Sequence, residues 1–407
     1  MVADSTEVAR AANAASRLLA HADTEAKNAA LHAMASLLTE RADDVLAANA
    51  ADVRAAEEGG VARNLLDRLR LSESKIHSRV RSLGIIADLP DPVGQSVRAW
   101  RTTNGLDVAR VRTPLGVVLM VYEARPHVTV NAGAFCLKSG NAAILRGGSE
   151  ARQCNELLGK LWSEALSSAG LPAGAVQVIT GSHEQVGQLL QLDDMIDLVI
   201  PRGSKRMIES ISTASRIPVL KHSAGVCHVV LDEGCDLEAG LRVALDSKCL
   251  MPEVCNAMES LLVCGAAAER LPAIVSAFRQ AGVTVRGCER TRAAVADVEP
   301  AEEADWSTEY LDMIVSIRAV DDVDAAIEHV NTYGSHHTDS LVTDSESRAR
   351  RFLERVASGV VLINASTMFC DGQTLGMGAE IGISTDKLHA RGPMGLEELT
   401  SYKFCIR

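Results

Sequence analysis

The chain has 407 residues, of which 47% are hydrophobic, 23% charged and 3% aromatic, and its formal net charge is −12. That length exceeds what one growing core uses and points to two α/β domains, while the hydrophobic share excludes disorder. The acidic balance excludes a nucleic-acid or anionic-membrane surface, because both need a basic footprint, so an anionic substrate requires a locally basic pocket.

From the N-terminus, polar residues recur every few positions with no apolar run of signal-peptide length, and the longest apolar runs, such as 115–121 and 227–231, are strand-length. A soluble, cytoplasmic protein without membrane spans is the expectation. Residues 4–60 carry apolar side chains at helical spacing, as in Leu31, Met34, Leu37 and Leu38, and read as two or more amphipathic helices ended by Gly59-Gly60. Residues 97–113 alternate apolar and polar on both sides of Asn104-Gly105, the pattern of a β-hairpin with a two-residue turn. Such a hairpin has open edges and needs a partner, in the chain or on another subunit. From 115 to 231, apolar strands (GVVLMVYE, AAILRGG, AVQVITG, DLVIPRG, IPVLKH, CHVVLDE) alternate with helical stretches, as in a parallel sheet covered on both faces. The alternation resumes from about 240 to 365 with SLLVCG, VTVRG, MIVSIRAV, DSLVTD and VVLINAS.

Ten cysteines lie without CxxC pairs, mostly in apolar segments, which suits reduced thiols and argues against a metal site. Any one of them reads as a buried small hydrophobe or as a nucleophile. Cys255 stands out because it sits between the Pro252 turn and the start of a helix or strand, and a helix N-terminus would stabilise its thiolate. Two strand-to-helix turns, Arg146-Gly147-Gly148-Ser149-Glu150 and Pro201-Arg202-Gly203-Ser204-Lys205, carry glycines and cations of the kind that approach phosphates, although neither is a G-x-G-x-x-G fingerprint and an ordinary turn fits equally. His336, His337 and His389 sit among small polar residues, where solvated roles and ligand contacts both fit.

The segments Tyr122–Thr129, Leu145–Glu150, Pro201–Gly203, Pro252–Ala257, Gly378–Ser384 and Lys387–Leu396 occur together and in this order. In them the chain closely resembles the γ-glutamyl phosphate reductases of the aldehyde dehydrogenase superfamily, over essentially its whole length. The resemblance implies two doubly wound α/β domains with a small β oligomerisation arm. The cofactor-binding domain falls at 1–96 and 114–238, the catalytic cysteine domain at 239–370, and the arm with a C-terminal return segment at 97–113 and 371–407. It implies NADPH-dependent reduction of γ-glutamyl phosphate, with Cys255 as nucleophile and Asn256 with its backbone N–H at the oxyanion. Arg146, Gly147, Gly148 and Ser149 match the cofactor turn, Gly203 and Ser204 the turn beside the pyrophosphate, and Glu309 the glutamate on a ribose hydroxyl. Arg125, His127, Lys221, Asn364 and Arg391 fall to the substrate. No metal is implied, and the partners are the small-molecule substrate, further copies of the chain and a glutamate kinase that would supply the labile acyl phosphate.

The segment where oxidative relatives carry their water-activating glutamate reads Lys221-His222-Ser223-Ala224-Gly225, without a carboxylate. A thioester meant for hydride rather than water needs no such base. The chain departs from the family at His127 and Asn131, where Asn and Asp are usual, at Met251, where a basic residue is usual, and at Met368, where many members have Arg. Arg125, Lys138, Lys221 and Arg391 are the cations that could replace the lost charge. An aldehyde dehydrogenase of altered substrate and a non-catalytic kinase partner are the competing readings.

Overall fold

A computed structural model of the chain describes residues 4–221, 224–378 and 380–407. Two compact units emerge, one from residues 1–222, 376–382 and 394–407, the other from 223–375 and 383–393.

The first unit opens with helices α1 (Ser5–Leu19), α2 (Thr24–Glu40), α3 (Ala42–Glu58), α4 (Arg63–Leu69) and α5 (Glu73–Asp88). Asp4, Asp23 and Ser72 cap α1, α2 and α5 by accepting backbone N–H bonds that the first turn leaves open. Next come the strands β1 (Ser96–Arg101) and β2 (Asp107–Pro114), paired antiparallel as the Asn-Gly signal indicates. The turn differs from expectation. Gly105 N–H bonds Thr102 O and Gly105 alone takes positive φ (92°), while Thr102 N–H bonds Leu106 O, which makes a three-residue loop. Thr102 Oγ1 also accepts from Leu106 N–H at 2.9 Å, so a side chain has replaced the tighter turn's backbone geometry.

The main sheet of this unit follows as β3 (Val117–Tyr122), α6 (Pro126–Lys138), β4 (Ala142–Gly147), α7 (Arg152–Ser168), β5 (Val176–Ile179), α8 (His183–Leu189), β6 (Leu198–Arg202) and α9 (Lys205–Ala214). Its parallel order is β5-β4-β3-β6, with β3 and β4 buried throughout. Of the segment IPVLKH, which reads as a strand, the described residues 217–221 contribute one bridge, Val219 to Val199. Pro218 has no N–H to donate, which stops the ladder there.

In the second unit the order is β7 (Cys227–Leu231), α10 (Leu237–Cys249), β8 (Met258–Cys264), α11 (Leu271–Gln280), β9 (Thr284–Gly287), α12 (Glu289–Ala294), β10 (Glu299–Pro300), β11 (Ile314–Val320), α13 (Val323–Tyr333), β12 (Thr338–Val342), α14 (Glu346–Arg355) and β13 (Val360–Ile363). They build a seven-stranded parallel sheet in the order β10-β9-β11-β8-β7-β12-β13. β7, which the run of apolar segments joined to the earlier strands, belongs here between β8 and β12. Short strands β14 (Gly382–Ser384) and β15 (Gly392–Met394) pair with each other. The last strand, β16 (Thr400–Ile406), pairs with β2, so β1, β2 and β16 form a three-stranded sheet that covers one hairpin edge. Among the described residues no helix is long and apolar enough to cross a membrane.

Candidate active site

In the second unit, Cys255, the thiol that stands out in the sequence, lies at the amino end of β8. Cys255 lies in the connection between α10 and β8, closed by Val254 N–H to Met251 O and Ala257 N–H to Val254 O. Its thiol is half-buried. Of the two alternatives the sequence left open after Cys255, the strand is the one present, and the helix before it ends at Cys249, so no helix N-terminus stands beside the thiol. Asn256 is buried and donates Nδ2–H to Thr367 O at 3.2 Å, which anchors the turn, while its backbone N–H has no protein acceptor among the described residues.

Gly225, just ahead of β7, crosses the Cys255 carbonyl so closely that a Cβ there would stand 1.7 Å from the oxygen. Its N–H donates to Glu309 Oε1 at 2.7 Å. Only a glycine permits this crossing. Gly225→Ala is expected to displace the Cys255 turn and lower kcat by on the order of 10²-fold, since small misplacements of a reacting group cost that much. Unchanged kcat in a variant whose circular dichroism matches the parent would contradict the role given to Gly225.

The two ends of the Cys255 connection are tied by a buried ion pair, Lys248 Nζ to Glu259 Oε2 at 2.6 Å, both side chains fully excluded from solvent. Burial pushes the Glu259 carboxyl up to about 7 against the opposing pull of Lys248. Below the turn, the Cys227 thiol donates to Cys255 O at 3.4 Å and lies 3.7 Å from His337 Nδ1. Burial holds Cys227 well above the ordinary thiol range and pushes Cys136 and Cys154 up to about 12, so these are protonated, inert thiols.

Arg391 sits at the amino end of β13, where Nη2 donates to Ala357 O and a buried Nε lacks a partner among the described residues. Asn364 is placed elsewhere. It follows the carboxyl end of β13, and through the register of β13, β12, β7 and β8 it stands five residues, about 16 Å, beyond the start of β8. Its φ is 54°, and its amide both accepts from Thr343 N–H and donates to Thr343 O. Asn364 therefore shapes a turn through Thr343. His222 and Ser223, inside the segment where a general base would stand, and Ala379 lie outside the described residues.

The first unit holds the glycine turns. Ser204 caps α9, accepting from Met207 N–H, and gives its own N–H and Oγ–H to the Glu123 carboxylate, both at 2.8 Å. At the other turn the Glu150 carboxylate accepts from Ala124 N–H at 2.6 Å and lies 2.1 Å from where a Gly148 Cβ would stand. Ala124 is held at φ 30°, a strained position for an alanine. Arg146 is buried, bonds Gly181 O at 3.2 Å, and keeps an Nε without a partner among the described residues. A buried guanidinium with one open N–H beside a glycine turn fits an anionic dinucleotide. Ser149 begins a short 3-10 turn ahead of α7, and Gly147 packs against Asn155 and Tyr122.

At the start of α6, burial and the cations of Arg79, Arg125, Lys75 and Arg202 push His127 down to about 3. Arg125 is the residue preceding α6, and Lys75 and Arg79 come from α5. Lys138 is buried and donates to Asn28 Oδ1 and Ala87 O, so it ties helices together and does not replace a lost charge. Met251 is exposed and Met368 buried. Lys221 is exposed. A neutral native His127 makes stability depend on pH. The unfolded chain binds a proton near pH 6.5 that the native state refuses until about 3, so the contribution is present above 6.5 and lost as pH falls through that window. His127→Asn is expected to remove about 1.4 kcal/mol of acid destabilisation per pH unit between about 6 and 4. Urea denaturation of both proteins at several pH values checks it, and parallel pH curves would contradict it.

Residues of these two settings that sequence reasoning gave no role are Gly225, Glu123, the Lys248–Glu259 pair, and Lys75 and Arg79 beside His127. Glu259 left one signal, a charge inside an otherwise apolar strand.

Comparison with known proteins bears on both units. The profile of the aldehyde dehydrogenase family matches residues 2–287. The chain is 49% identical over 397 residues, 97% of its length and 95% of the other's, to the γ-glutamyl phosphate reductase of Moorella thermoacetica. Its structure is similar to the crystal structure of the γ-glutamyl phosphate reductase of Thermotoga maritima, with a TM-score of 0.97 and 42% identity across 100% of this chain and 98% of that one. At 13% identity and TM-score 0.72, over 100% of this chain and 98% of the other, a propionaldehyde dehydrogenase of Rhodopseudomonas palustris shares the fold. The motif order read from the sequence thus extends to likeness along the whole backbone, and the chain belongs to the γ-glutamyl phosphate reductases of the aldehyde dehydrogenase family.

Proposed function

We propose that the protein reduces L-glutamyl 5-phosphate to L-glutamate 5-semialdehyde and phosphate with NADPH, through a thioester on Cys255, as a step of proline biosynthesis. The observation that carries this reading is the setting of Cys255. It is a half-buried thiol in a turn pinned by Gly225, Asn256 and the Lys248–Glu259 pair, in a chain 49% identical along its length to a γ-glutamyl phosphate reductase.

The Cys255 thiolate attacks the acyl carbon, and the backbone N–H of Asn256 takes the developing oxyanion. The carbon–oxygen bond to phosphate breaks, phosphate leaves with that electron pair, and the acyl group stays on sulfur. Bound beside the thioester, a nicotinamide would supply the hydride for the acyl carbon. As the aldehyde is released, the carbon–sulfur bond breaks and Cys255 recovers its thiolate. Arg146, Gly147, Gly148, Ser149, Gly203, Ser204 and Glu309 would hold the cofactor, which the family assigns as NADPH. Glu309, through Gly225, also positions the Cys255 turn. Arg125, His127, Lys221 and Arg391 serve the anionic substrate, and the cations Lys75, Arg79 and Arg202 around His127 add to the positive field such a substrate needs.

Along β16, Tyr402, Phe404 and Ile406 are exposed on one face of the three-stranded sheet, a face suited to another copy of the chain. A homo-oligomer built through this arm follows. Ten free thiols suit a reducing cytoplasm. A glutamate kinase contact rests on the lability of the acyl phosphate. The test is the reverse reaction, NADPH formation from NADP⁺ and glutamate semialdehyde with and without inorganic phosphate. Phosphate-dependent turnover supports the reading, and turnover indifferent to phosphate, or none, rejects it.

A further inference from the structure

The carboxyl ends of the seven-stranded sheet are the edge opposite Cys255, about 20 Å away along the seven residues of β8. There the chain leaves two neighbouring parallel strands in opposite directions. From β9 it passes through α12 to β10 on one side, and from β11 through α13 to β12, beyond β8 and β7, on the other. Such a reversal opens a crevice at the carboxyl ends of an open α/β sheet, the place where ligands bind in these folds. Here the crevice measures about 580 Å³, within the range of small-molecule sites, and is lined from the ends of β9 and β11 and one face of α13.

Three features of its lining select a ligand. Arg318 is half-buried, with its guanidinium 5.3 Å from the Trp306 ring and 5.9 Å from the Tyr333 ring, so it is held in place by aromatic faces. It donates Nη1–H to His329 Nδ1 at 3.0 Å and has no carboxylate partner among the described residues. That bond leaves the proton of neutral His329 on Nε2, and this nitrogen, on a side chain 5% exposed, has no acceptor among the described residues. Glu328, on the α13 face of the same crevice, is a carboxylate without an ion-pair partner among the described residues, whereas Asp321 is paired with Arg290 at 2.7 Å. Two guanidiniums, Arg290 and Arg318, stand against three carboxylates, Glu289, Asp321 and Glu328, a balance of −1 that disfavours phosphates and nucleotides. An unpaired cation and an unpaired carboxylate on one crevice match a ligand that carries both opposite charges.

We propose that this crevice binds a small zwitterionic α-amino acid, its carboxylate on Arg318 and its ammonium on Glu328, as a site separate from the Cys255 chemistry. Cys288 lines the crevice and reports on it. Its Sγ is 3.3 Å from Thr291 Oγ1, and against burial, which raises it, hydrogen bonds from Thr291 and neighbouring backbone N–H groups hold the thiol below its ordinary range.

The full chain is treated with iodoacetamide in the presence of each proteinogenic L-amino acid in turn, or of inorganic phosphate, and labelling of Cys288 and Cys255 is followed separately by mass spectrometry. At least one amino acid is expected to slow Cys288 labelling by about tenfold at ten times its Kd, with phosphate without effect. Arg318→Gln and the exposed Glu328→Gln should each weaken that protection about tenfold while basal turnover stays unchanged. Absence of protection by any amino acid, equal protection by phosphate, protection confined to Cys255, or protection undiminished in Glu328→Gln would overturn the assignment.

Discussion

Cys255→Ser is expected to lower phosphate-dependent turnover by on the order of 10⁴-fold or more, with little change in melting temperature. The thiol is half-buried and the replacement nearly isosteric, so the fold has no reason to respond. The chemistry does, because a serine hydroxyl is a far weaker nucleophile without an adjacent base, and an oxygen ester gives up its acyl group less readily than a thioester. Cys227→Ser and Cys136→Ser test the assignment from the other side, since burial holds both thiols protonated. Each should keep turnover within a small factor of the parent. Steady-state assays on purified variants read the result, and retained activity in Cys255→Ser would move the nucleophile elsewhere.

The second large effect concerns Lys248 and Glu259. With both side chains fully buried, removing one leaves the other charge without water and without a partner, a loss of about 3–5 kcal/mol. Glu259→Leu alone is expected to lower stability by that amount, a large fraction of what a domain has to lose. Combining it with Lys248→Met should restore most of the stability, because a buried pair replaced by apolar side chains of similar volume is often neutral. Activity should not recover in step, since the pair ties together the ends of the connection that carries Cys255. Denaturant unfolding of the two variants checks the first part and kcat the second; a double variant as unstable as the single one would contradict it.

Much of this architecture was legible in the residues themselves. Strands such as 117–122 and 142–147 are continuous apolar runs of strand length, which few structures other than a doubly covered parallel sheet accommodate. The hairpin at Asn104-Gly105 was legible for the same local reasons, but its turn was not, because the Thr102 side chain decides the loop. Assignment of β7 to one sheet or the other was beyond periodicity, since both sheets accept the same kind of apolar strand. Cys255 stood out by its place after the Pro252 turn, and the strand that follows it was legible as the apolar run SLLVCG, whereas the pairing of Glu259 with Lys248 was not. The bonds between the Asn364 amide and Thr343 were not legible in the sequence, because they depend on the left-handed backbone at Asn364. The crossing of Gly225 over Cys255 depends on residues thirty positions apart and leaves no trace in either segment alone.

The central claim is that Cys255 holds the acyl group as a thioester that phosphate, not water, removes. The most direct measurement mixes the enzyme rapidly with NADP⁺ and glutamate semialdehyde in phosphate-free buffer and then adds phosphate, following NADPH absorbance against active-site concentration. The account predicts a burst of about one equivalent of NADPH per Cys255, a near halt, and renewed turnover on phosphate addition. Sustained turnover without phosphate, or no burst before it, would contradict the account.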